Sequence, residues 1–432
     1  MIGVVADDIT GANDIGVMFA KFGLLTHIYA SEAFSAARLG RLGDKPDVVI
    51  LDTNSRLDSG DEAYRKVAEA TGKLREAGVR QWVNKTCSVF RGNVGREFDA
   101  MLDTLRIGFA VVVLGFPKNG RTTIDGVHYV HGKPLEASEF RRDPVHPMTQ
   151  SELAAILRGQ TRRRVGNLFY PEIEAGPEAL RRRIAEMRSV CEYVLLDVRH
   201  QADLAVIAEA VRDEAVLCGS SALAEELAAR MAGSARLRAA AERLPVPRLP
   251  GVGMLCAAGS LMPQTAAQIE YSKRRGVRSF ELDSLAALDE KERSEMVIRL
   301  AEAASERMLA GENVLLHTSN RAGRVEETQR AGRRAGLTAE EVSRAVSSAV
   351  AEAAARITER TGQPRLLVAG GETSAAVCGL MGIDGMRIWK EIEPGLPSCV
   401  SLGDRPKLLV LKSGSFGRPD FFETAFAHLQ ET

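Results

Sequence analysis

The feature that most constrains this chain is a repeated figure first met in Met1-Ile2-Gly3-Val4-Val5-Ala6-Asp7-Asp8-Ile9-Thr10-Gly11. A short uncharged apolar run breaks at once into two carboxylates, a hydroxyl and a glycine, and helical spacing then resumes. The run reads as a buried strand and the following segment, about Ala12 to Phe22, as a helix. Further apolar runs recur at Leu24 to Ala30, Asp47 to Asp52, Gln81 to Asn84, Ala110 to Leu114, Tyr193 to Asp197 and Val216 to Ala222, with a helix-patterned stretch at Asp61 to Ala77. Strand, polar loop and helix in alternation predict a parallel α/β sheet whose functional loops share one edge. In such sheets ligands bind beyond the carboxyl ends of the strands. Asp8 or Thr10 as a mere helix cap is the competing reading of the first break.

At 432 residues the chain is longer than one core normally grows, so two domains are expected. Leu244-Pro245-Val246-Pro247-Arg248-Leu249-Pro250-Gly251, after an alanine-rich helical stretch at Ala235 to Arg243, reads as a stiff linker. The domains are accordingly set at 1–243 and 251–432, joined by 244–250. The fold class is α/β: two domains, each a mostly parallel sheet flanked by helices, with a ligand cleft between them.

Lys plus Arg and Asp plus Glu both number 57, a balance that argues against nucleic-acid or membrane-surface partners. The clusters Arg162-Arg163-Arg164 and Arg181-Arg182-Arg183 read as solvated surface. Six scattered cysteines without a C-x-x-C pair read as reduced thiols. No signal peptide is read ahead of Asp7, and the longest apolar stretch, Phe109 to Pro117, is too short to span a bilayer, so a cytoplasmic protein is expected. A homodimer stays open.

The strand-end loops of the first half are chemically complementary. The first offers Asp7 and Asp8; the next two offer Arg56, Lys85 and Arg91 with the hydroxyls of Thr53, Ser55 and Ser88. Guanidinium grips a carboxylate as a fork and side-chain carboxylates accept from sugar hydroxyls, so a small polyhydroxy acid fits this set. His128 and His131 fall on a hairpin turning at His131-Gly132 without a third ligand, and no metal site is assigned there. Arg141 to Pro147 is extended by its prolines and reads as a lid or edge wrap, and Gly219-Ser220-Ser221 as a turn able to help hold an anion.

The second half restarts the alternation, with strands at Gly253 to Ala258, Val314 to His317, Arg365 to Ala369 and Leu408 to Leu411 and a long helix at Ala339 to Glu359. Three of these strands run into Gly259-Ser260, Gly370-Gly371-Glu372-Thr373 and Lys412-Ser413-Gly414. Glycine lets backbone approach phosphate and a following helix N-terminus supplies N–H donors, which suggests a nucleotide site. No Walker A or G-x-G-x-x-G signature stands at these junctions, so tight structural turns remain the alternative.

Five separated segments, Ala6 to Asp14, Lys85 to Gly95, Gly120 to Gly126, Gly370 to Thr373 and Lys412 to Gly417, resemble the four-carbon acid sugar kinase family, in order and over nearly the whole chain. The resemblance implies an N-terminal domain for threonate, erythronate or their oxo derivatives, a C-terminal domain for ATP, and phosphate transfer to the C4 hydroxyl with magnesium. It places ATP at Ser260, Gly370, Gly371, Glu372, Thr373 and Gly414, with Lys412 and Ser413 on the same loop. The acid falls to Asp7, Asn13, Ser55, Arg56, Lys85, Ser88, Arg91 and Arg121, with Asp8 or Asp125 as the catalytic base. One loop departs from the family's usual K-x-D-S-T-x-R-G: Cys87 and Val89 replace an acid and a hydroxyl, which bears on the choice of substrate.

Two other readings compete. An aspartyl-nucleophile phosphatase would carry D-x-D-x-T, whereas this spacing is D-D-x-T. A nucleotide-gated sugar-acid sensor would bind both ligands without turnover, and a kinase for another small hydroxy acid would differ in the acceptor alone.

Overall fold

The computed structural model describes residues 1–40, 45–232, 244–319 and 321–431. The chain divides into two compact units, Met1–Ala239 and Ala240–Thr432. The helix expected at Ala235 to Arg243 lies outside the described residues.

The first unit is built on β1 (Ile2–Ala6), β2 (Thr26–Ala30), β3 (Val48–Asp52), β4 (Gln81–Lys85), β5 (Ala110–Val113), a side hairpin of β6 (Arg121–Ile124), β7 (Val127–Val130) and β8 (Lys133–Pro134), then β9 (Val165–Leu168), β10 (Tyr193–Leu196) and β11 (Val216–Gly219). Its main sheet runs β2-β3-β1-β4-β11-β5-β10-β9 and every pairing in it is parallel. Strands buried on both faces must be apolar throughout, which is why Val4, Val49, Ile50 and Val112 are fully buried. The chain winds from β1 through β2 to β3 on one side and then returns to β4 on the other. That reversal falls between the ends of β1 and β4, the switch point at which such sheets bind ligands.

The flanking helices follow their signals. Gly60–Glu76 starts where the Ser59 hydroxyl accepts from Glu62 N–H at 3.3 Å, carries Asp61 and Glu62 in its first turn and Lys73 and Arg75 in its last, and buries Ala63, Val67, Ala70, Thr71 and Leu74.

The second unit contains β12 (Leu255–Ala258), β13 (Arg278–Leu282), β14 (Val314–Thr318), β15 (Arg365–Ala369), β16 (Gly385–Glu393), β17 (Leu396–Ser401) and β18 (Leu408–Lys412) in the order β13-β14-β12-β15-β18-β17-β16. β17 alone runs antiparallel to its neighbours, β16 and β18, and the other pairings are parallel. The long helix Ala339–Thr361 opens on a capping box between Thr338 and Glu341. The proline segment is anchored rather than free: Val246 is buried, and the carbonyls of Val246 and Pro247 accept from the Arg365 guanidinium at 2.8 and 3.1 Å.

Among the described residues no helix is long and apolar enough to cross a membrane. All six cysteines are free and buried.

Candidate functional site

Register fixes the first site. Ala6 stands opposite Asp52 and Lys85, and Lys85 opposite Gly219, so Asp7, Thr53, Thr86 and Ser220 leave the sheet at one level. Asp8 caps the helix Ile9–Ala20: its Oδ1 accepts from Gly11 N–H at 2.7 Å and its Oδ2 from Thr10 Oγ1 at 2.8 Å. Capping is not its whole work, because Arg56 Nη1 also donates to Oδ2 at 2.6 Å. The same guanidinium forks onto both oxygens of Asp7, at 2.8 and 2.7 Å. Arg56, expected on the substrate's carboxylate, is thus committed to the two aspartates. Burial opposes ionisation of Asp8, and Arg56 and Lys85 outweigh it, holding the carboxyl below its ordinary range.

Beneath the cap lies a second ion pair. Lys85 Nζ donates to the Thr86 carbonyl at 3.0 Å and lies 3.5 Å from Asp14 Oδ2, which also accepts from Ser221 Oγ at 2.7 Å. Asp14 is buried and its Oδ1 accepts no hydrogen bond within the protein. Burial raises Asp14 to about 6 despite Lys85 and Ser221. Its neighbour Asn13 instead turns back along the helix and donates to the Ile9 carbonyl at 3.0 Å. Ser55 donates to Glu97 at 2.7 Å and shares a hydrogen bond of 2.8 Å with Thr53. Burial, with Asp7 adding to it, pushes Glu97 up to about 8, and burial pushes Asp52 to about 8 as well.

The loop after β4 carries the remaining cations. Arg91 donates through Nε to Cys87 Sγ at 3.4 Å and through Nη1 to Asp143 at 2.6 Å, with its guanidinium 5.2 Å from the Phe140 ring centre. Asp143 also accepts from the N–H groups of Val145 and His146 at 3.0 and 2.8 Å, so the extended proline segment is tied to Arg91. Burial raises the Cys87 thiol, but Arg91 and Arg56 outweigh it and hold it below its ordinary value. Arg121 is buried, donates to the Asn119 carbonyl, and lies within the electrostatic reach of Cys87, Arg91 and Asp14. The Ser88 backbone hydrogen-bonds the His128 ring, which burial drives down to about 3.

Asp125 is not brought into this cluster. It occupies the exposed turn between β6 and β7 at φ 51°, with its N–H on Asp197 Oδ2 at 2.8 Å. Asp197 follows β10, four strands from β1, a separation of roughly 19 Å at ~4.8 Å per strand. The residues assembled by the fold but unassigned from sequence are Asp14, Glu97 and Asp143, and Ser221, read there only as part of a turn able to help hold an anion, joins them on Asp14. Asp14 stood inside the motif Asn13-Asp14, where helical period was the available signal.

The second unit assembles a different kind of site. Ala258, Ala369 and Lys412 are in register on the adjacent strands β12, β15 and β18, so Gly259-Ser260, Gly370 to Thr373 and Ser413-Gly414 emerge side by side. Ser260 is their meeting point. A Cβ on Gly414 would collide with its hydroxyl, and one on Gly370, whose φ is +123°, would stand 3.2 Å from its N–H. The helices Pro263–Arg274 and Gly371–Leu380 begin at this edge. Glu372 is half-buried in the first turn of the latter. Lys412 does not project from the loop. It is fully buried beneath it, donating to Thr265 Oγ1, Ser413 O and Gly414 O at 3.0, 2.8 and 3.1 Å, and burial lowers it to about 7.

Glycine-lined backbone with two helix N-termini fits a nucleotide's phosphates. Magnesium draws its oxygen ligands largely from phosphate and water. A nucleotide-borne ion therefore suits a site where, among the described residues, no group of three His, Cys, Asp or Glu side chains forms a cage.

Comparison with known proteins joins these sites to a class. Residues 2–227 match a family described as sugar-binding N-terminal domain and residues 255–422 one described as nucleotide-binding C-terminal domain. The 3-oxo-tetronate kinase of Pseudomonas savastanoi pv. phaseolicola is 33% identical over 99% of this chain and 97% of its own. That of Cupriavidus necator is 32% identical with the same coverage. A crystal structure from Salmonella typhimurium LT2 superimposes with a TM-score of 0.78 at 28% identity, covering 99% of each chain. The chain belongs to the four-carbon acid sugar kinase family and is an ATP-dependent sugar-acid kinase, a transferase of carbohydrate-acid metabolism.

Proposed function

We propose that the protein transfers the γ-phosphate of ATP to the terminal C4 hydroxyl of a four-carbon sugar acid of the 3-oxo-tetronate kind. The observation that carries this reading is the convergence of Asp7, Asp8, Arg56, Lys85 and Asp14 at the β1/β4 switch point. Phosphoryl transfer needs positioned oxygens and compensated charge more than covalent chemistry. In the first unit Arg91 and Arg121 supply positive charge for the acid's carboxylate. In the second unit Ser260, Gly370 to Thr373 and Gly414 hold the nucleotide, with Glu372 the carboxylate at hand for its magnesium. When bound, magnesium neutralises charge on the phosphates.

The relatives named 3-oxo-tetronate kinase support the choice of acid. Cys87 and Val89, where the family commonly has an acid and a hydroxyl, bear on which tetronate is preferred. A coupled ADP-release assay with MgATP against D- and L-threonate, D- and L-erythronate and the 2- and 3-oxo-tetronates tests the reading. Turnover should be highest on an oxo-tetronate and the product should carry phosphate on C4. No turnover on any member, with ATP binding shown separately, would overturn it.

A further inference from the structure

We propose that Asp14, held by Ser221 and Lys85, is the base that takes the proton from the acceptor hydroxyl. The inference rests on the sugar-acid kinase reading and adds to it a residue and an atom. Every other carboxylate at the β1 edge is occupied. Both oxygens of Asp7 are on the Arg56 fork. Asp8 Oδ1 is taken by the helix N-terminus, and Oδ2 by Thr10 and Arg56. Tied in this way, Asp8 is a weak proton acceptor, because each donor favours the form that has no proton. Glu97 and Asp52 err the other way, standing protonated up to about pH 8 through burial.

Asp14 lies between these extremes. Three chain elements, the first helix, the end of β4 and the turn after β11, fix its Oδ2 between Ser221 Oγ at 2.7 Å and Lys85 Nζ at 3.5 Å. Its Oδ1 is buried and accepts no hydrogen bond from the protein. A donorless oxygen on an otherwise anchored carboxylate is what a substrate hydroxyl can satisfy. A base poised near 6 is also ionised at neutral pH and still basic.

The charged groups facing Asp14 are Lys85 from β4, Asp8 at its own helix's cap and Arg121 from the side hairpin. On the helix Ala222–Ala232 packed alongside, Glu225 is held by Lys21 and Lys118 at 2.5 and 2.7 Å. The step balances: the C4 oxygen bonds to the γ-phosphorus, the bond from that phosphorus to the ADP oxygen breaks, and the hydroxyl proton passes to Asp14.

The test is the pH profile of kcat/KM for the best sugar acid in wild type, Asp14→Asn, Asp8→Asn and Ser221→Ala. Activity requires ionised Asp14, so the wild-type rate should climb about tenfold per pH unit below about 6 and level off above it. Asp14→Asn should lose on the order of a hundredfold to ten-thousandfold in kcat and lose that acid limb, with ATP affinity by calorimetry kept and a far-UV circular dichroism spectrum like that of wild type showing that it folds. Asp8→Asn should lower turnover but keep the limb. Ser221→Ala should lower turnover less than Asp14→Asn and move the limb to higher pH, because the ionised form loses its donor. Asp14→Asn within tenfold of wild type, or retaining the limb, would overturn this inference alone. A wild type silent on the whole acid panel would overturn the kinase reading and this inference with it.

Discussion

At the carboxyl edge of the first unit's sheet the groups are charged side chains: Asp7, Asp8 and Asp14 against Arg56 and Lys85, all largely buried. At the corresponding edge of the second unit the groups that meet are backbone, with Ser260 set against Gly370 and Gly414 and a buried cation, Lys412, kept beneath the loop. Both edges are suited to anions, a sugar acid in one reading and triphosphate in the other. The difference follows from the ligand. Phosphate oxygens are alike and are met by a ring of N–H donors, whereas a polyhydroxy acid presents donors and a carboxylate at distinct places and needs side chains of both signs.

The comparison makes the first edge fragile to charge removal. Arg56→Ala would strip the counterion from two buried carboxylates at once. Breaking a buried pair costs about 3–5 kcal/mol, and with Asp7 and Asp8 sharing one guanidinium the loss belongs at the upper end. Urea unfolding should show it, and Arg56→Lys should restore little, since one ammonium cannot fork onto Asp7 while holding Asp8. A loss below about 1 kcal/mol would mean the cluster is solvated and the contrast between the edges is false.

The buried acids give the next largest effect. Glu97 rises from the ordinary 4.5 to about 8 on folding, so the native state holds a proton that the unfolded chain releases. Its stabilisation is therefore complete below pH 4.5 and is lost as pH climbs towards 8. Asp52 adds the same sign over its own window, from 3.8 to about 8. Glu97→Gln keeps an acceptor for Ser55 and has no proton to lose, so its unfolding midpoint should fall less steeply than wild type between these limits. Parallel slopes would show that Glu97 is ionised in the native protein.

On the second edge the sensitive feature is space. Gly414→Ala places a methyl group against the Ser260 hydroxyl, and overpacking of that kind costs about 1–3 kcal/mol. The rearranged loop should weaken ATP binding at least tenfold by calorimetry. Sugar-acid binding, housed in the other unit, should be unchanged. Equal loss for both ligands would erase the division of labour.

Much of this architecture is legible in the amino-acid sequence, and what is not has identifiable physical causes. The parallel strands announced themselves because burial on both faces demands uncharged runs, and their ends marked the loops that converge. β6, β9, β13, β16 and β17 escaped: Arg-Thr-Thr-Ile and Val-Gly-Asn-Leu are short, Arg278–Leu282 is half exposed, Gly385–Glu393 carries four charges in an antiparallel pairing, and Leu396–Ser401 holds a proline and two serines. Within the site, Asn13 and Asp14 are about 100° apart on the helix, enough to send one to its own backbone and the other to Lys85. Ser55 meets Glu97 across 42 positions, a pairing no local pattern encodes. Lys412 looked like a phosphate ligand because lysine beside glycine often is one, and only packing shows its ammonium pointing under the loop.

The smallest effect concerns Cys87, in the loop after β4. Its thiol lies 3.4 Å from Arg91 Nε, and Arg91 and Arg56 hold it below the ordinary thiol range against the opposing pull of burial. As pH rises through that lowered value, a negative charge appears beside the guanidiniums that would receive the acid's carboxylate. Two like charges about 4 Å apart in water repel by about 1 kcal/mol, roughly fivefold in KM. In wild type KM for the acid should therefore rise on the alkaline side while KM for ATP stays flat. Cys87→Ser preserves the shape and cannot ionise, so its acid KM should be level across the same range. If instead the serine variant shows the same rise, the titrating group lies elsewhere and Cys87 is packing alone.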